Sequence, residues 1–552
     1  MFHLGIDSCC CCWQIFFTCF ASALLAYIIF GCFKRRNLNK AVLERRQRFA
    51  DSKAALRKRL ATTDTVQLEK RRLIVQLKFS DLTEKLQKGE LSAVDVLHAY
   101  QWRALTICDD TSCNCVVEFL DEAEEFAKQL DHLYNKDSNI AKPPLFGIPI
   151  SVKESIQIKG HDSTRGYVRS LNQQANESAN LIRLLQDAGA VPFVRTNVPQ
   201  TLLSFACSNP IYGRTSHPTH SNRTCGGSSG GEAALIRLFG SVLGVGSDVG
   251  GSIRVPAHYS GVVGFKPTSD RMTQLRSVAS IPGRPMMCAT AGPMAMFDSD
   301  PYVMPVPFRD EIFRSTEPLT IGYYETDGFF DALPCCRRVV SKTKQLLEQA
   351  GHRLVPFQPP DIPLAVSLIV RSCVVDGGQY ITDQLADDLV DPCVRLIHIL
   401  YCTPVRLRHW LGKLVRPLDA KSALLLGSFA SSTADLRRAY EAIGHYRTLF
   451  VERWKRASLD ALICPPHAVV AMPDHVMARS CPCVQCSVVS DRDEQSVEDE
   501  YNVRDLSAKQ VFQNCRVGSG SVGLPVGLQC VTLHGQDELC LRLMAEVERL
   551  WS

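Results

Sequence analysis

The chain carries near its middle the stretch Cys225-Gly-Gly-Ser-Ser-Gly-Gly-Glu232, in which glycines enclose two serines. A helix is predicted directly after it, over residues 233–239. A strand from Val242 then ends in a second glycine turn, Asp248-Val-Gly-Gly-Ser-Ile-Arg254. Glycine lets the backbone approach a substrate closely and adopt turn angles that a Cβ would forbid. Two such loops, each beside a regular element, are what an exposed serine nucleophile needs.

A lysine upstream of these loops ends a predicted strand, Phe146-Gly-Ile-Pro-Ile-Ser-Val-Lys153. The apolar residues of this strand alternate with Ser151 and Lys153, so the lysine faces a different side from its apolar neighbours. A helix over residues 178–188 and a strand over residues 190–194 follow. This alternation of helices and short apolar strands predicts an α/β fold with a sheet covered by helices on both faces.

The first glycine-rich loop also permits other interpretations. Gly226-Gly-Ser-Ser-Gly230 matches the Gly-x-Ser-x-Gly elbow of α/β-hydrolases, but that elbow follows a buried strand and residues 216–224 are polar and turn-like. A phosphate-binding loop would need Gly-Lys-Ser/Thr after the glycines, and that sequence is missing. A purely structural loop stays open, although two serine-bearing loops this close together are uncommon.

Composition narrows the class of protein. The 552 residues are 45% hydrophobic and 22% charged, which is typical of a globular chain. The net charge of +5 is modest and no nucleic-acid-binding signature is present, so we expect no nucleic-acid partner. The 24 cysteines are scattered, which indicates reduced thiols in a cytosol-facing protein. Cys481, Cys483 and Cys486 lack further ligands at zinc-site spacing, so we expect no metal and no other cofactor.

The N-terminus contains an apolar run. Residues 8–33 carry no charged side chain and can span a bilayer. Asp7 precedes the run, and Lys and Arg residues crowd positions 34–48, which is the reverse of a cleaved signal peptide. We therefore predict an uncleaved single span with the remainder in the cytosol, a processed signal or a buried helix being the alternatives. Cys9–Cys12 are either acylation sites or small apolar residues of the span.

These patterns divide the chain into three parts. We predict an N-terminal segment with the transmembrane helix (1–33), a basic helical juxtamembrane region (34–79) and a catalytic domain (80–552). The basic region lies near anionic lipid headgroups or is a solvated helix. Within the catalytic domain, residues 396–429 interleave Leu, Ile, Val and Trp with Arg and Lys. That pattern fits an amphipathic helical pair in the membrane interface, and equally a helical hairpin packed on the core.

Three motifs together resemble those of the amidase signature family: Pro149-Ile-Ser-Val-Lys153, Gly226-Gly-Ser-Ser-Gly-Gly231 and Asp248-Val-Gly-Gly-Ser-Ile-Arg254. The resemblance covers most of residues 70–300, and residues 521–530 also fit. It implies an amidase signature fold, with a mixed, twisted sheet covered by helices on both faces.

Further matches in chain order are similar to one branch of this family, the vertebrate fatty-acid amide hydrolases. They are Asn197-Val-Pro-Gln200, Cys207-Ser-Asn-Pro210, Gly322-Tyr-Tyr-Glu-Thr-Asp327, Ala350-Gly-His-Arg-Leu-Val-Pro-Phe357 and Glu538-Leu-Cys-Leu-Arg542. The resemblance implies hydrolysis of N-acylethanolamines and primary fatty amides to fatty acid and amine. It also implies a lipid amide substrate and a membrane as partners.

The resemblance implies a Ser-Ser-Lys mechanism for this chain. A lysine on a buried strand loses solvation, which lowers its pKa, so Lys153 is expected to act as general base. Ser228 would pass its own proton to Lys153 and take one from Ser252, whose oxygen attacks the carbonyl carbon. The turn Val249-Gly-Gly-Ser252, with Gly250 and Gly251 at its centre, would aim N–H groups at the developing oxyanion.

Supporting roles follow from the same resemblance. Ser229 is expected to hold Lys153 or Ser228 in register, while Asp248 and Arg254 support the loops. Leu202 and Leu203 match positions beside the acyl chain of the substrate.

The match is interrupted in two places. Met296-Phe-Asp-Ser-Asp-Pro301 follows Ala295 where the family continues with a helix. Met477-Ala-Arg-Ser-Cys-Pro-Cys-Val-Gln-Cys486 stands after Pro466, where the family has an apolar stretch. Losing a core strand would cost an amount comparable with the ~5–15 kcal/mol stability of a domain.

Three hypotheses follow. The first is a single-pass lipid amide hydrolase on the cytosolic side of an endomembrane, the endoplasmic reticulum or Golgi, either alone or as a homodimer. The second is an amidase for small or polar amides, against which the predicted span and the apolar residues 396–429 count. The third is an inactive or folding-impaired membrane protein, which the two interruptions favour.

Overall fold

The computed structural model describes residues 7–136, 141–269, 271–273, 275–283, 290–291, 307–329, 331–473 and 524–551. Of residues 7–30, 135–136 and 290–291 it describes the backbone alone.

The helices of the described residues are α1 (Asp7–Leu60), α2 (Thr65–Gln76), α3 (Phe79–Gln87), α4 (Ala93–Asp110), α5 (Ala123–Lys136), α6 (Asn180–Asp187), α7 (Gly230–Arg237), α8 (Arg254–Ser260), α9 (Asp310–Arg314), α10 (Pro334–Gln349), α11 (Ile362–Cys373), α12 (Gln379–Leu385), α13 (Pro392–Cys402), α14 (Val405–Val415), α15 (Ala420–Gly427), α16 (Thr433–Arg456) and α17 (Asp537–Trp551). The strands are β1 (Val116–Phe119), β2 (Pro149–Lys153), β3 (Val191–Thr196), β4 (Ser208–Asn209), β5 (Gly213–Arg214), β6 (Leu243–Val245), β7 (Ser247–Asp248), β8 (Thr290–Ala291), β9 (Thr320–Tyr323), β10 (Arg353–Pro356), β11 (Ala461–Cys464) and β12 (Gln529–Val531).

The first sheet has the order β1-β3-β2-β6. Strand β1 is antiparallel to β3, whereas β3, β2 and β6 run parallel, so the sheet is mixed. The register pairs Lys153 with Thr196 and Val152 with Val245. Lys153 therefore ends a central strand, beside the point where β6 leads towards the second glycine turn.

Both faces of this sheet are covered. Ile150 and Val152 are fully buried in the main core together with Val96 and Leu97 of α4. Residues at alternate positions face the other way, and there the hydroxyl of Ser151 contacts α7. The expected α/β arrangement with helices on both faces is confirmed for this sheet.

A second mixed sheet has the order β10-β9-β11-β12. Strands β9, β10 and β11 are parallel and β12 is antiparallel to β11. Its apolar residues pack against α10 and α17, for example Ile321 and Ile463 with Val340 and Leu543. The sequence analysis did not distinguish this second sheet from the first, because short apolar strands do not reveal which strand each one pairs with.

The N-terminal helix α1 includes the predicted span. Within the described residues, no helix is long and apolar enough to cross a membrane, and the side chains of residues 7–30 lie outside that part. Further along α1, Leu56 and Leu60 belong to the same core as β2. Arg45 also pairs with Glu118 of β1 at 2.9 Å. Part of the basic region 34–79 thus packs on the core of the first sheet.

Residues 396–429 form parts of α13 and the whole of α14 and α15 rather than a simple helical pair. Helices α14 and α15 approach each other closely at Gly412. A Cβ at this glycine would lie 3.1 Å from the carbonyl oxygen of Ala423. The expectation of helix is confirmed here. Several apolar side chains of this segment remain exposed, which a hairpin fully packed on the core would not allow.

Candidate active site

Lys153 is the last residue of β2 and its side chain is fully buried. Its Nζ donates hydrogen bonds to the hydroxyl of Ser228 at 2.7 Å and to the hydroxyl of Ser247 at 2.9 Å. Burial disfavours the ammonium form and lowers the pKa of Lys153 to about 7, although the charge of Asp248 opposes this shift. Much of the lysine is therefore neutral near neutral pH, as a general base requires.

The two serine loops are joined through their backbones. Ser228 and Ser229 lead into α7, and the N–H of Ser229 donates to the carbonyl oxygen of Ser252 at 3.0 Å. Ser228 is buried and Ser252 is half-buried, so Ser252 is the serine that a substrate reaches more easily. Among the described hydrogen bonds, none joins the hydroxyls of Ser228 and Ser252.

Asp248 organises the turn that carries Ser252. Its Oδ1 accepts from the N–H of Gly251 at 2.8 Å, and its Oδ2 accepts from the N–H of Ile253 at 3.0 Å. Arg254 donates to both oxygens, from Nε at 3.0 Å and from a terminal nitrogen at 2.9 Å. Burial opposes ionisation of Asp248, but these hydrogen bonds and the charge of Arg254 lower its pKa to about 2. The carboxylate is thus ionised at neutral pH and holds the turn from inside.

The turn also depends on a glycine in an unusual conformation. Gly251 has φ +116°, which disfavours any residue with a Cβ. Its N–H is bound to Asp248, whereas Gly250 has open space around the position a Cβ would take. The backbone at Gly250 is therefore unobstructed on that side.

A family model described as "Amidase" matches residues 95–541. The chain belongs to the amidase signature family. It is 34% identical to "Fatty acid amide hydrolase 1" of Caenorhabditis elegans, over 95% of this chain and 97% of that relative. It is 35% identical to "Fatty-acid amide hydrolase 1" of Sus scrofa, over 90% of this chain and 89% of the relative. The expected family is confirmed, and the chain is an amidase signature hydrolase related to fatty acid amide hydrolases.

Solved structures agree on the fold of this amidase. A structure described as "Fatty acid amide hydrolase" superposes with a TM-score of 0.75, at 24% identity, covering 93% of this chain and 95% of the other. The peptide amidase from Stenotrophomonas maltophilia gives a TM-score of 0.60 at 20% identity, covering 86% and 96% of the two chains. The amidase signature α/β fold expected from the motifs is confirmed.

The expected role of Ser229, to hold Lys153 or Ser228 in register, stays a prediction. The hydroxyl of Ser229 contacts neither Lys153 nor Ser228 among the described hydrogen bonds. It donates to the carbonyl oxygen of Ser247 at 3.3 Å and accepts from the N–H of Ser247 at 3.4 Å. Ser247 in turn contacts Lys153 directly, and the sequence analysis missed it. Its place one residue before Asp248, at the end of a strand that points towards the site, was the available signal.

The two leucines expected beside the acyl chain lie near the first serine loop. Leu202 is buried, and Leu203 packs on an apolar cluster with Tyr167, Ile381 and Ile397. Phe205, two residues further on, lies close to the start of the first serine loop. Its carbonyl oxygen accepts from the hydroxyl of Thr224 at 3.1 Å. Leu203 thus joins an apolar cluster that includes Ile381 of α12 and Ile397 of α13.

Other sequence features fall outside the described residues. They are the cysteines at 481, 483 and 486, the residues 296–301 and 477–486 that interrupt the family match, and the side chains of Cys9–Cys12.

Proposed function

We propose that this amidase hydrolyses fatty-acid amides, including N-acylethanolamines and primary fatty amides, with Ser252 as nucleophile, Ser228 as proton shuttle and Lys153 as general base. The observation that carries the proposal is the 2.7 Å contact between Nζ of Lys153 and the hydroxyl of Ser228, made by a buried lysine with a pKa lowered to about 7. Such a lysine takes a serine proton without help from histidine.

The reaction begins when neutral Lys153 takes the proton of Ser228 as Ser228 takes that of Ser252. The oxygen of Ser252 forms a bond to the substrate carbonyl carbon, and the carbonyl oxygen becomes an oxyanion. When this intermediate collapses, the carbon–nitrogen bond breaks and the proton returns through Ser228 to the leaving amine. Water then attacks the acyl-enzyme by the same proton route and releases the fatty acid.

Backbone N–H groups of the second glycine turn would stabilise the oxyanion. Because the N–H of Gly251 is bound to Asp248, we assign the contacts to Val249, Gly250 and Ser252. The negative charge of Asp248 is compensated by its ion pair with Arg254.

The lipid character of the substrate rests on apolar surface and on the relatives named above. Trp410 is 55% exposed, and other large apolar side chains of α13, of α14 and of the residues after α14 are exposed as well. The exposed members of this group, which we call the apolar patch, are Leu396, Ile399, Leu407, Trp410, Leu414 and Leu418. Exposed clusters of this kind mark interaction or membrane-binding sites, and a basic fringe favours anionic lipid.

The basic residues beside the apolar patch are Arg406, Lys413, Arg416 and Lys421. We propose that the patch lies in the membrane interface and admits lipid amides towards Leu203. We place the protein as a single-pass protein on the cytosolic face of the endoplasmic reticulum or Golgi. A homodimer is part of the same proposal.

A fluorophosphonate probe and a pair of substrates test the proposal. Full-length protein in membranes is compared with Ser252→Ala and Lys153→Ala, and hydrolysis of long-chain amides is compared with that of acetamide-like short ones. We expect labelling that requires Ser252 and a clear preference for long chains. Preference for short polar amides would instead support the second hypothesis. A folded wild-type protein without any labelling would support the third.

A further inference from the structure

Glu232, in the first turn of α7, places a buried carboxylate behind the catalytic strand. Glu232 is only 4% exposed. One oxygen accepts from the hydroxyl of Ser151 at 2.5 Å, and the other accepts from the hydroxyl of Thr196 at 2.6 Å. A Cβ at Gly244 would collide with the first oxygen, so the chain leaves room for this carboxylate. The proposed mechanism gives the carboxylate no role.

Lys153 is the cation whose charge acts on Glu232. Ser151 and Lys153 are alternate residues of β2 and face the same side, about 7 Å apart along the strand. Thr196 is the β3 partner of Lys153 in the sheet register. Both donors to the carboxylate are thus immediate neighbours of the lysine. Within the part of the chain that the structure describes, this carboxylate has two hydroxyl donors and no ion pair. Such a buried carboxylate is costly to keep, which argues for a function.

We propose that Glu232 is a positioning residue whose charge sets the pH at which Lys153 becomes a base. This inference rests on the proposed function of Lys153. An ionised Glu232 stabilises the ammonium form of Lys153 and so raises its pKa, whereas a protonated Glu232 does not. The two groups therefore titrate as a coupled pair. The number of protons that the pair carries at a given pH determines how much of Lys153 is neutral.

The pKa values of the two groups are consistent with this pairing. Burial raises the pKa of Glu232 to about 7, despite the hydrogen bonds from Ser151 and Thr196. Burial also lowers the pKa of Lys153 to about 7. The carboxylate thus changes its charge in the same pH range as the amine.

Among the described residues, the charges of Asp248, Cys207 and Glu154 also act on the pKa of Lys153. Asp248, the strongest of them, has a pKa of about 2 and keeps one charge throughout the working range. Glu154 accepts from the hydroxyl of Thr164 at 2.6 Å and from the N–H of Arg165 at 3.0 Å. Burial opposes ionisation of Cys207, but hydrogen bonding, chiefly with Cys225, lowers the pKa of this thiol. Cys207 is therefore the competing candidate and needs its own variant.

The test is the rate constant for fluorophosphonate inactivation of the full-length chain, measured from acid to alkaline pH. Glu232→Gln keeps the shape and an acceptor oxygen but removes the charge. We expect the acid limb of its profile to move to lower pH by about one unit. Ser151→Ala, which removes a donor to the carboxylate, should move the limb in the same direction. In the Glu232→Gln background it should add no further shift.

Two controls accompany these variants, and thermal unfolding checks each protein. Glu538→Gln changes another buried carboxylate, bound to Arg271 and Arg309, and should leave the limb in place. Cys207→Ser tests the competing thiol. An unmoved limb in Glu232→Gln, or a limb moved by Cys207→Ser alone, would overturn the inference. If Glu232→Gln fails to fold, an unmoved limb in Ser151→Ala overturns it. Wild type that lacks Ser252-dependent inactivation would instead overturn the proposed function.

Discussion

Nζ of Lys153 lies 2.7 Å from the hydroxyl oxygen of Ser228, and both groups are buried. The lysine reaches this position because β2 is central and ends beside the first turn of α7. Its burial lowers the lysine pKa to about 7, so the strand supplies both the placement and the basicity.

The pH dependence of activity follows from that pKa. Neutral Lys153 is the base, so kcat/KM should rise by about tenfold per pH unit below about 7 and level off above it. The measurement is kcat/KM for an amide substrate without ionisable groups. A flat profile from acid to neutral pH would contradict the role of Lys153.

Lys153→Met should separate activity from stability. The folded-state pKa of Lys153 lies below its unfolded value, so the buried amine costs stability at neutral pH, and that cost disappears as pH rises towards 10.5. Replacing it with an apolar side chain of similar length should lower activity by about 10²-fold or more while Tm stays equal or rises. A large fall in Tm would show that the lysine is chiefly structural.

Ser247→Ala tests the residue that the sequence analysis missed. It removes the hydroxyl that accepts from Lys153 at 2.9 Å, so we expect about a fivefold to tenfold loss in kcat, equal to roughly 1 kcal/mol for one hydrogen bond. Ser241→Ala is the matched control, because the hydroxyl of Ser241 donates to the carbonyl oxygen of Leu243 and accepts from the N–H of Ser151, but does not bond to the lysine among the described hydrogen bonds. An equal loss of kcat in Ser247→Ala and Ser241→Ala would show that the contact between Ser247 and Lys153 has no specific effect on catalysis.

Asp248→Asn should damage the second glycine turn. The change removes the ion pair with Arg254, and breaking a largely buried pair costs about 3 kcal/mol or more. Fluorophosphonate labelling and Tm should both fall. Because the folded pKa of Asp248 is depressed to about 2, its contribution to stability is present above about pH 4 and is lost as pH falls towards 2. Unchanged labelling with a lowered Tm would confine its role to stability.

The apolar patch yields a prediction about lipid substrates. Trp410→Glu with Leu414→Glu should lower hydrolysis of long-chain amides embedded in vesicles by about tenfold or more, since each side chain is worth about 1.5–3 kcal/mol when buried in lipid. Fluorophosphonate labelling in solution should not change. Leu133→Glu on α5, where the leucine is 51% exposed against 54% for Leu414, is the control. An equal effect of Leu133→Glu would contradict a specific membrane-facing role.

Sequence alone gave the family, the α/β fold and the residues around Ser228, because glycine turns and strand alternation are local signals. Ser247 was not recognised, since its contact with Lys153 depends on how β7 is set beside β2. The contact between Ser229 and the backbone of Ser247 was not predicted for the same reason. The role of Glu232 also needed tertiary contacts, because the carboxylate meets Ser151 and Thr196 only after two strands and a helix are packed together.

The most direct test of the central claim is peptide mapping of the fluorophosphonate adduct on the full-length protein at neutral pH. The proposed mechanism predicts a single modified peptide carrying the adduct on Ser252, with its formation slowed by Lys153→Met. An adduct on Ser228 or on another residue, or one that forms at an equal rate in Lys153→Met, would contradict the proposed mechanism.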